Sequence, residues 1–294
     1  MTRLASILKA GFAAVFIASL GNCMGPGSVS IPSEDLSDYP TAAPLKERRF
    51  ELERVSLHAM ENGNPAKPTV VFIHGTPGQW SMFRSYLNHP RLQDHARLFS
   101  ISRPSWAGST VKGSFLPTLG DQSAMLGEWL CQMAAESTNG KLLVVAHSYG
   151  ATLTPRLAMD HPACVSGMIL LAGAADPDLA QPRWYNRMTS LWPIATLVGG
   201  LSEALVQSNH EMMQVAAELE SMRPRWNSLQ LPTTVFQGEQ DPLVHADNAD
   251  FIEESLSHIP ATVHRYQEEG HFVLRSHQHQ VVDEILSMLS VLEP

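Results

Sequence analysis

The sequence predicts an α/β protein built on a mostly parallel sheet flanked by helices, and three observations carry that reading. Short, continuously apolar runs recur at Thr69–Ile73, Leu142–Ala146 and Met168–Ala172, as expected of strands buried on both faces. Helical stretches alternate with them, which implies parallel strands joined by crossovers. Several of these runs stop at turns rich in small or polar residues, such as Gly75-Thr-Pro-Gly78 and His147-Ser-Tyr-Gly150. At 294 residues and 44% hydrophobic content the chain can bury a large core. A net charge of −9, with no basic run, argues against nucleic-acid binding.

Taken in order, residues 1–22 are expected to be a signal peptide. Arg3 and Lys9 give a positive start, and the eleven residues Ala10–Leu20 form an apolar stretch too short to span a bilayer. An uncleaved anchoring helix is the other reading. Leu20-Gly-Asn-Cys23 resembles a bacterial lipoprotein cleavage box, although Asn22 departs from its small-residue pattern. That resemblance implies lipidation of Cys23 and a lipid anchor to a bacterial membrane, placing the protein in the periplasm or on the membrane. Residues 23–46, rich in Gly, Pro and Ser, read as a tether.

Residues 47–175 form the first part of the predicted core. Arg48–Ala59 reads as one or two strands, Val70–Ile73 as a core strand and Gln79–Leu87 as a helix. Arg97–Ser102 follows as a strand, Thr118–Ala135 as a helix, Lys141–His147 as a strand, Ala151–Met159 as a helix and Cys164–Ala172 as a strand. The alternation breaks over residues 176–229, where Trp184, Tyr185, Trp192 and Met188, Met212, Met213 and Met222 concentrate. This segment reads as a helical cap inserted after the sixth strand. Trp184, Tyr185 and Trp192 are candidate substrate-binding residues, with packing of the cap onto the body as the alternative. Residues 230–294 complete the core: a strand to about Gln237, another at Thr262–Tyr266, and a final helix. His277-Gln-His279 at its start reads as a solvated face. After Cys23, only Cys131 and Cys164 remain. They are expected as free, half-buried thiols, although an oxidising compartment permits a disulfide. No spacing suits zinc, and no cofactor is expected.

Four segments carry chemistry. Ser148 stands on a strand-to-helix turn, exposed at a strand tip above a helix N-terminus, where it can serve as a nucleophile; a serine N-cap is the plainer reading. The turn after Ile73 supplies a candidate oxyanion donor. Pro77 has no N–H, so Thr76 is chosen, with Tyr149 as the second donor. Asp241 follows a strand and can orient a histidine, while Asp176 is a rival acid at another strand tip. His271 lies in the loop after the last short strand.

The order Ser148…Asp241…His271 resembles that of the α/β-hydrolase superfamily over about residues 47–292. Ile101-Ser-Arg-Pro-Ser-Trp-Ala-Gly-Ser109 is similar to the family's loop D-R-P-G-x-G-x-S. Ser102 and Ser105 replace the usual Asp and Gly, and Ala146 replaces the first Gly of G-x-S-x-G. The resemblance implies an α/β-hydrolase fold of eight strands with a cap, and a serine hydrolase. In that reading Ser148, Asp241 and His271 form the triad, and Thr76 and Tyr149 line the oxyanion hole. Cleavage of an apolar carboxylic ester is the leading reading. An aminopeptidase or amidase, a carbon–carbon bond hydrolase, a haloperoxidase-like enzyme and a non-catalytic binding lipoprotein are the alternatives. A peptidase needs an acidic recess, for which the cap offers Glu203, Glu211, Glu218 and Glu220.

Overall fold

The computed structural model describes residues 44–191 and 203–292, apart from the side chains of Tyr185, Thr189 and Glu203. The expected signal peptide, Cys23, nearly all of the tether and Trp192 lie outside the described residues.

The apolar runs pair into one sheet of β1 (Lys46–Glu51), β2 (Val55–Gly63), β3 (Thr69–Ile73), β4 (Arg97–Ile101), β5 (Thr110–Val111), β6 (Leu142–His147), β7 (Gly167–Leu171), β8 (Thr233–Gly238) and β9 (Ala261–Tyr266). The order is β1-β2-β4-β3-β6-β7-β8-β9, with β5 on the flank of β2. β2 runs antiparallel to β1, β4 and β5, and every pairing from β4 to β9 is parallel. The sheet therefore has nine strands where eight were expected. The ninth is the two-residue β5, too short to leave an alternating pattern.

The helices are α1 (Arg84–Leu87), α2 (Pro90–His95), α3 (Leu119–Glu136), α4 (Tyr149–Asp160), α5 (Trp184–Thr189), α6 (Glu203–Met222), α7 (Asn248–Ser255), α8 (Val273–Ser276) and α9 (Gln278–Leu292). The helix expected over Gln79–Leu87 is instead a 3₁₀ turn, Trp80–Phe83, followed by α1. α3 begins where Thr118 accepts the Asp121 N–H at 3.1 Å, a side-chain cap of the usual kind. α5 and α6 lie in the insertion, which follows β7 once β5 is counted.

Period-two alternation sorts the strands between two cores. Val71, Ile73, Val144 and Ala146 face one side with Trp129 of α3, Leu153 of α4 and Leu219 of α6. Val70, Phe72, Leu143 and Val145 face the other with Tyr86 of α1, Leu92 of α2 and Ile285 of α9. Continuously apolar strands are the signature of a sheet covered on both faces. α6 belongs to the first core through Val215, Leu219 and Met222, and Met212 packs against it. Two of the methionines expected to line a cap thus serve packing.

Two expectations are corrected here. Cys131 and Cys164 are joined by a disulfide, their Cα atoms 4.7 Å apart. The end of α3 lies beside the turn that follows α4, a proximity across 33 residues of sequence that spacing does not reveal. His277 is also not simply solvated: its ring stacks on Tyr266 with centroids 3.7 Å apart, and its Nε2 lies 3.3 Å from Glu269. His279 is exposed as expected.

Cross-linking a loop of this size restricts the unfolded chain, with a typical effect of about 2–4 kcal/mol. Reduction, or Cys131→Ser with Cys164→Ser, is expected to lower unfolding stability by that order. Urea titration with and without reductant checks it, and coincident midpoints would show that the bond does not stabilise the fold.

Candidate active site

Ser148 occupies the turn between β6 and α4 at φ 55°, ψ −122°, a left-handed region that a serine enters only at a cost of about 1–3 kcal/mol. Surrounding hydrogen bonds impose it. The Ser148 N–H donates to Leu171 O at 2.9 Å, and its carbonyl accepts the Thr152 N–H at 3.0 Å. Although Ser148 sits at the N-cap position, its side chain makes no capping bond, so the plain N-cap reading fails. Two glycines permit the close packing. A Cβ on Gly75 would lie 2.7 Å from Ser148 Cβ, and one on Gly150 would lie 2.4 Å from Ile73 O.

Asp241 stands in the turn after β8, its side chain fully buried. Oδ1 accepts the N–H groups of Leu243 (2.8 Å) and Val244 (2.9 Å), which leaves Oδ2 to meet His271 Nδ1 at 2.7 Å. His271 follows β9, its side chain only 7% exposed. Since Nδ1 faces the carboxylate, Nε2 is the ring nitrogen left for other work. Asp176, the rival acid, faces elsewhere: Oδ1 accepts the Asp178 N–H at 3.0 Å and lies 3.5 Å from Arg223 Nη2.

The residue before the serine ties the two halves together. His147 Nε2–H donates to His271 O at 2.9 Å, and the two rings lie 4.7 Å apart. Its Nδ1 is buried without a hydrogen-bond partner. Burial first, and then the adjacent His271, push the His147 pKa down to about 3, so it remains a neutral donor. Sequence reasoning passed over His147 as an ordinary member of the strand.

Tyr149 opens α4, so its backbone N–H is one of the four that a helix leaves without an internal acceptor. Thr76 lies in the turn after β3, next to Gly75 and its contact with Ser148.

Behind these residues lies a buried polar cluster that sequence reasoning also missed. Arg103 and Glu211, both fully buried, pair in bidentate fashion at 2.7 and 3.0 Å. Arg103 also donates to His74 O (3.0 Å), Gly75 O (3.0 Å) and Gln122 Oε1 (2.6 Å). Its guanidinium lies 4.5 Å from the Tyr149 ring centroid, within cation–π reach. Trp106 Nε1 (3.0 Å) and Gln122 Nε2 (3.2 Å) donate to Glu211, and Gln122 Nε2 also reaches Tyr149 Oη at 3.1 Å. Burial and the neighbouring Glu211 push the Tyr149 phenol well above its ordinary range. The available signal was Arg103 within the loop Ile101–Ser109. Ser105 in that loop takes φ 67° where the resembled pattern has glycine.

Of the expected pocket residues, Trp184 is 68% exposed on α5. The Tyr185 side chain and Trp192 lie outside the described residues.

Residues 70–284 match the family model described as the alpha/beta hydrolase family. A curated relative from Oryza sativa subsp. japonica, named a probable 1-acylglycerol-3-phosphate O-acyltransferase, is 23% identical over 76% of this chain. The match covers 49% of that relative, so the chain spans about half the length of the curated protein. Among solved structures, Cfl2 from Burkholderia cenocepacia superimposes with TM-score 0.66 at 19% identity, covering 85% of this chain and 97% of Cfl2. A protein described as a putative aryl esterase from the same organism gives 0.63 at 17% identity, covering 84% and 98%. At these identities the structural likeness concerns the fold.

His147 also makes a stability statement. Unfolded, it takes a proton near its ordinary value of about 6.5; folded, it resists protonation until about 3. The folded pKa is the lower one, so this contribution is complete above about pH 6.5 and is lost as pH falls, at up to about 1.4 kcal/mol per pH unit. His147→Gln, which keeps a donor near the Nε2 position, is expected to flatten the fall of stability between pH 6 and 4. Denaturant midpoints across that range check it, and a slope equal to that of the native chain would remove His147 from the account.

Proposed function

Because the chain belongs to the alpha/beta hydrolase family, we propose that it is a serine hydrolase cleaving carboxylic esters of apolar small molecules through an acyl-enzyme. The observation that carries this reading is the constrained Ser148 conformation together with the His271–Asp241 pair, which the hydrogen bond from the neighbouring His147 ties to the same turn. In the proposed cycle, Ser148 Oγ attacks the ester carbonyl while His271 Nε2 takes its proton. Asp241 keeps the other ring proton on Nδ1 and stabilises the imidazolium. The Thr76 and Tyr149 N–H groups receive the oxyanion, the latter with the positive end of α4 behind it. Collapse expels the alcohol, which takes the proton back from His271. Water, activated by the same ring, then releases the acid.

Ester rather than aminopeptide substrates are favoured by the state of the inserted acids. Glu211 is paired with Arg103, Glu218 accepts the Gly120 N–H at 2.8 Å, and Glu220 pairs with Arg223 at 3.0 Å. None of these three stands free to receive a substrate amine. The rice relative, named as an O-acyltransferase, supports one further reading, in which an alcohol replaces water as the acyl acceptor.

We also propose that the protein is exported and lipidated at Cys23. The disulfide supports an oxidising compartment, and the signal-like segment supplies the route.

Ser148→Ala is expected to lower turnover of p-nitrophenyl esters by about 10³–10⁶-fold and to abolish fluorophosphonate labelling; more than a tenth of native activity would end the serine reading. In the same assay Asp241→Asn should lower kcat by up to about 10⁴-fold, and Asp176→Asn far less. The reverse ranking would move the acid to Asp176. Intact-mass measurement of membrane-fraction protein should find a chain starting at a modified Cys23; a cytosolic species keeping Met1 would refute export.

A further inference from the structure

Arg103 reaches the turn after β3 through two carbonyls, His74 O and Gly75 O, and the second lies next to Thr76. Gly75 O accepts two hydrogen bonds, from Arg103 Nη2 at 3.0 Å and from His74 Nδ1 at 2.7 Å. The tautomer follows from the other ring nitrogen. His74 Nε2 accepts the Arg103 backbone N–H at 3.0 Å, so the ring proton sits on Nδ1, and burial holds the pKa of His74 well below its ordinary value. A peptide unit is planar, and across a trans bond its N–H points opposite to its C=O. Fixing Gly75 O toward Arg103 therefore fixes the Thr76 N–H toward the opposite side. The Gly75 backbone is itself packed against Ser148, since a Cβ on Gly75 would lie 3.2 Å from Ser148 Oγ.

The guanidinium is itself held from the insertion. Glu211 of α6 meets both of its terminal nitrogens, and Trp106 and Gln122 saturate the same carboxylate. We propose that Arg103 and Glu211 are positioning residues that aim the Thr76 N–H at the developing oxyanion, so that the inserted helix α6 sets the geometry of the oxyanion hole. This rests on the acyl-enzyme reading above. Neither residue touches substrate. Each acts through the Gly75–Thr76 peptide, and Arg103 acts as well through its contact with the Tyr149 ring, next to the second donor.

A buried ion pair replaced by apolar residues of similar size often keeps or gains stability, whereas removal of one partner leaves a buried charge exposed to its full penalty. This separates the two roles the pair could have. Arg103→Met alone should be unstable. Arg103→Met with Glu211→Met should recover the thermal midpoint yet leave Gly75 O without its guanidinium partner. Active sites are counted by fluorophosphonate labelling taken to completion, and rates on p-nitrophenyl butyrate are expressed per site. The double variant and Glu211→Gln are both expected to lose about 10–100-fold in kcat with KM little changed, the scale of a slightly misplaced oxyanion donor. The Ki of a trifluoromethyl ketone, which forms the tetrahedral adduct, should rise by the same factor as kcat/KM falls. A double variant with native stability, native per-site kcat and native ketone affinity would overturn the proposal and leave the pair structural. If that variant does not fold, Glu211→Gln, which preserves side-chain volume, decides by the same two readouts. Ser148→Ala run alongside separates the layers: its retained activity would sink the hydrolase reading itself, whereas an inactive Ser148→Ala beside unaffected pair variants would sink only the positioning role.

Discussion

The buried guanidinium of Arg103 is the constraint on which the site depends. A charge removed from water costs several kcal/mol unless it is paired and every donor is used. The Arg103 side chain spends its donors on four residues: His74, Gly75, Gln122 and Glu211. They come from the turn after β3, from α3 and from α6, which are far apart in sequence. The charge is therefore satisfied only when the sheet, a flanking helix and the inserted helix are all in place. Assembly of the insertion on the body and organisation of the loop beside Ser148 become a single event.

The two strained or buried elements near Ser148 are supported in different ways. The serine's backbone is held by neighbouring strand and helix bonds, so its conformation belongs to the β6–α4 junction. The histidine is held by chemistry at three points: Asp241 on Nδ1, His147 on the backbone carbonyl, and the His147 ring at its side. Asp241 in turn is fixed by two backbone N–H groups of its own turn. Each layer pins the one in front of it, which is how a site keeps sub-ångström geometry on loops.

Much of the fold was legible because the strands carry unbroken apolar runs and sharp terminal turns. Thr69–Ile73 and Leu142–His147 announced themselves, and the residues at their tips followed. Ser148 and Asp241 were findable at the ends of strands, whereas the strand before His271, Ala261–Tyr266, carries His264 and Arg265 and is no apolar run, so His271 was findable only by its order after the other two. Residues whose role arises only from tertiary contact were not. Arg103 looked like one residue of a loop motif, Glu211 like one of four cap acids, and His147 like strand filler. The disulfide was missed for the same reason: Cys131 and Cys164 meet only when α3 packs beside the turn after α4. Trp184, expected in a pocket, is mostly exposed, because composition does not say which face of α5 turns inward.

β1 forms one margin of the sheet, and five of its six residues, Lys46-Glu-Arg-Arg-Phe-Glu51, are exposed; only Phe50 turns partly inward. An open strand margin is a template on which other chains can polymerise, and charged side chains along it are a recognised deterrent. A second copy approaching this margin would have to strip water from five ionised side chains to add its backbone to the ladder. The opposite margin, β9, is guarded by Arg265 in ion pairs with Glu239 and Asp250. Both margins of the sheet thus carry ionised side chains whose desolvation makes edge-to-edge pairing costly, which favours the separate state of a chain with so apolar an interior.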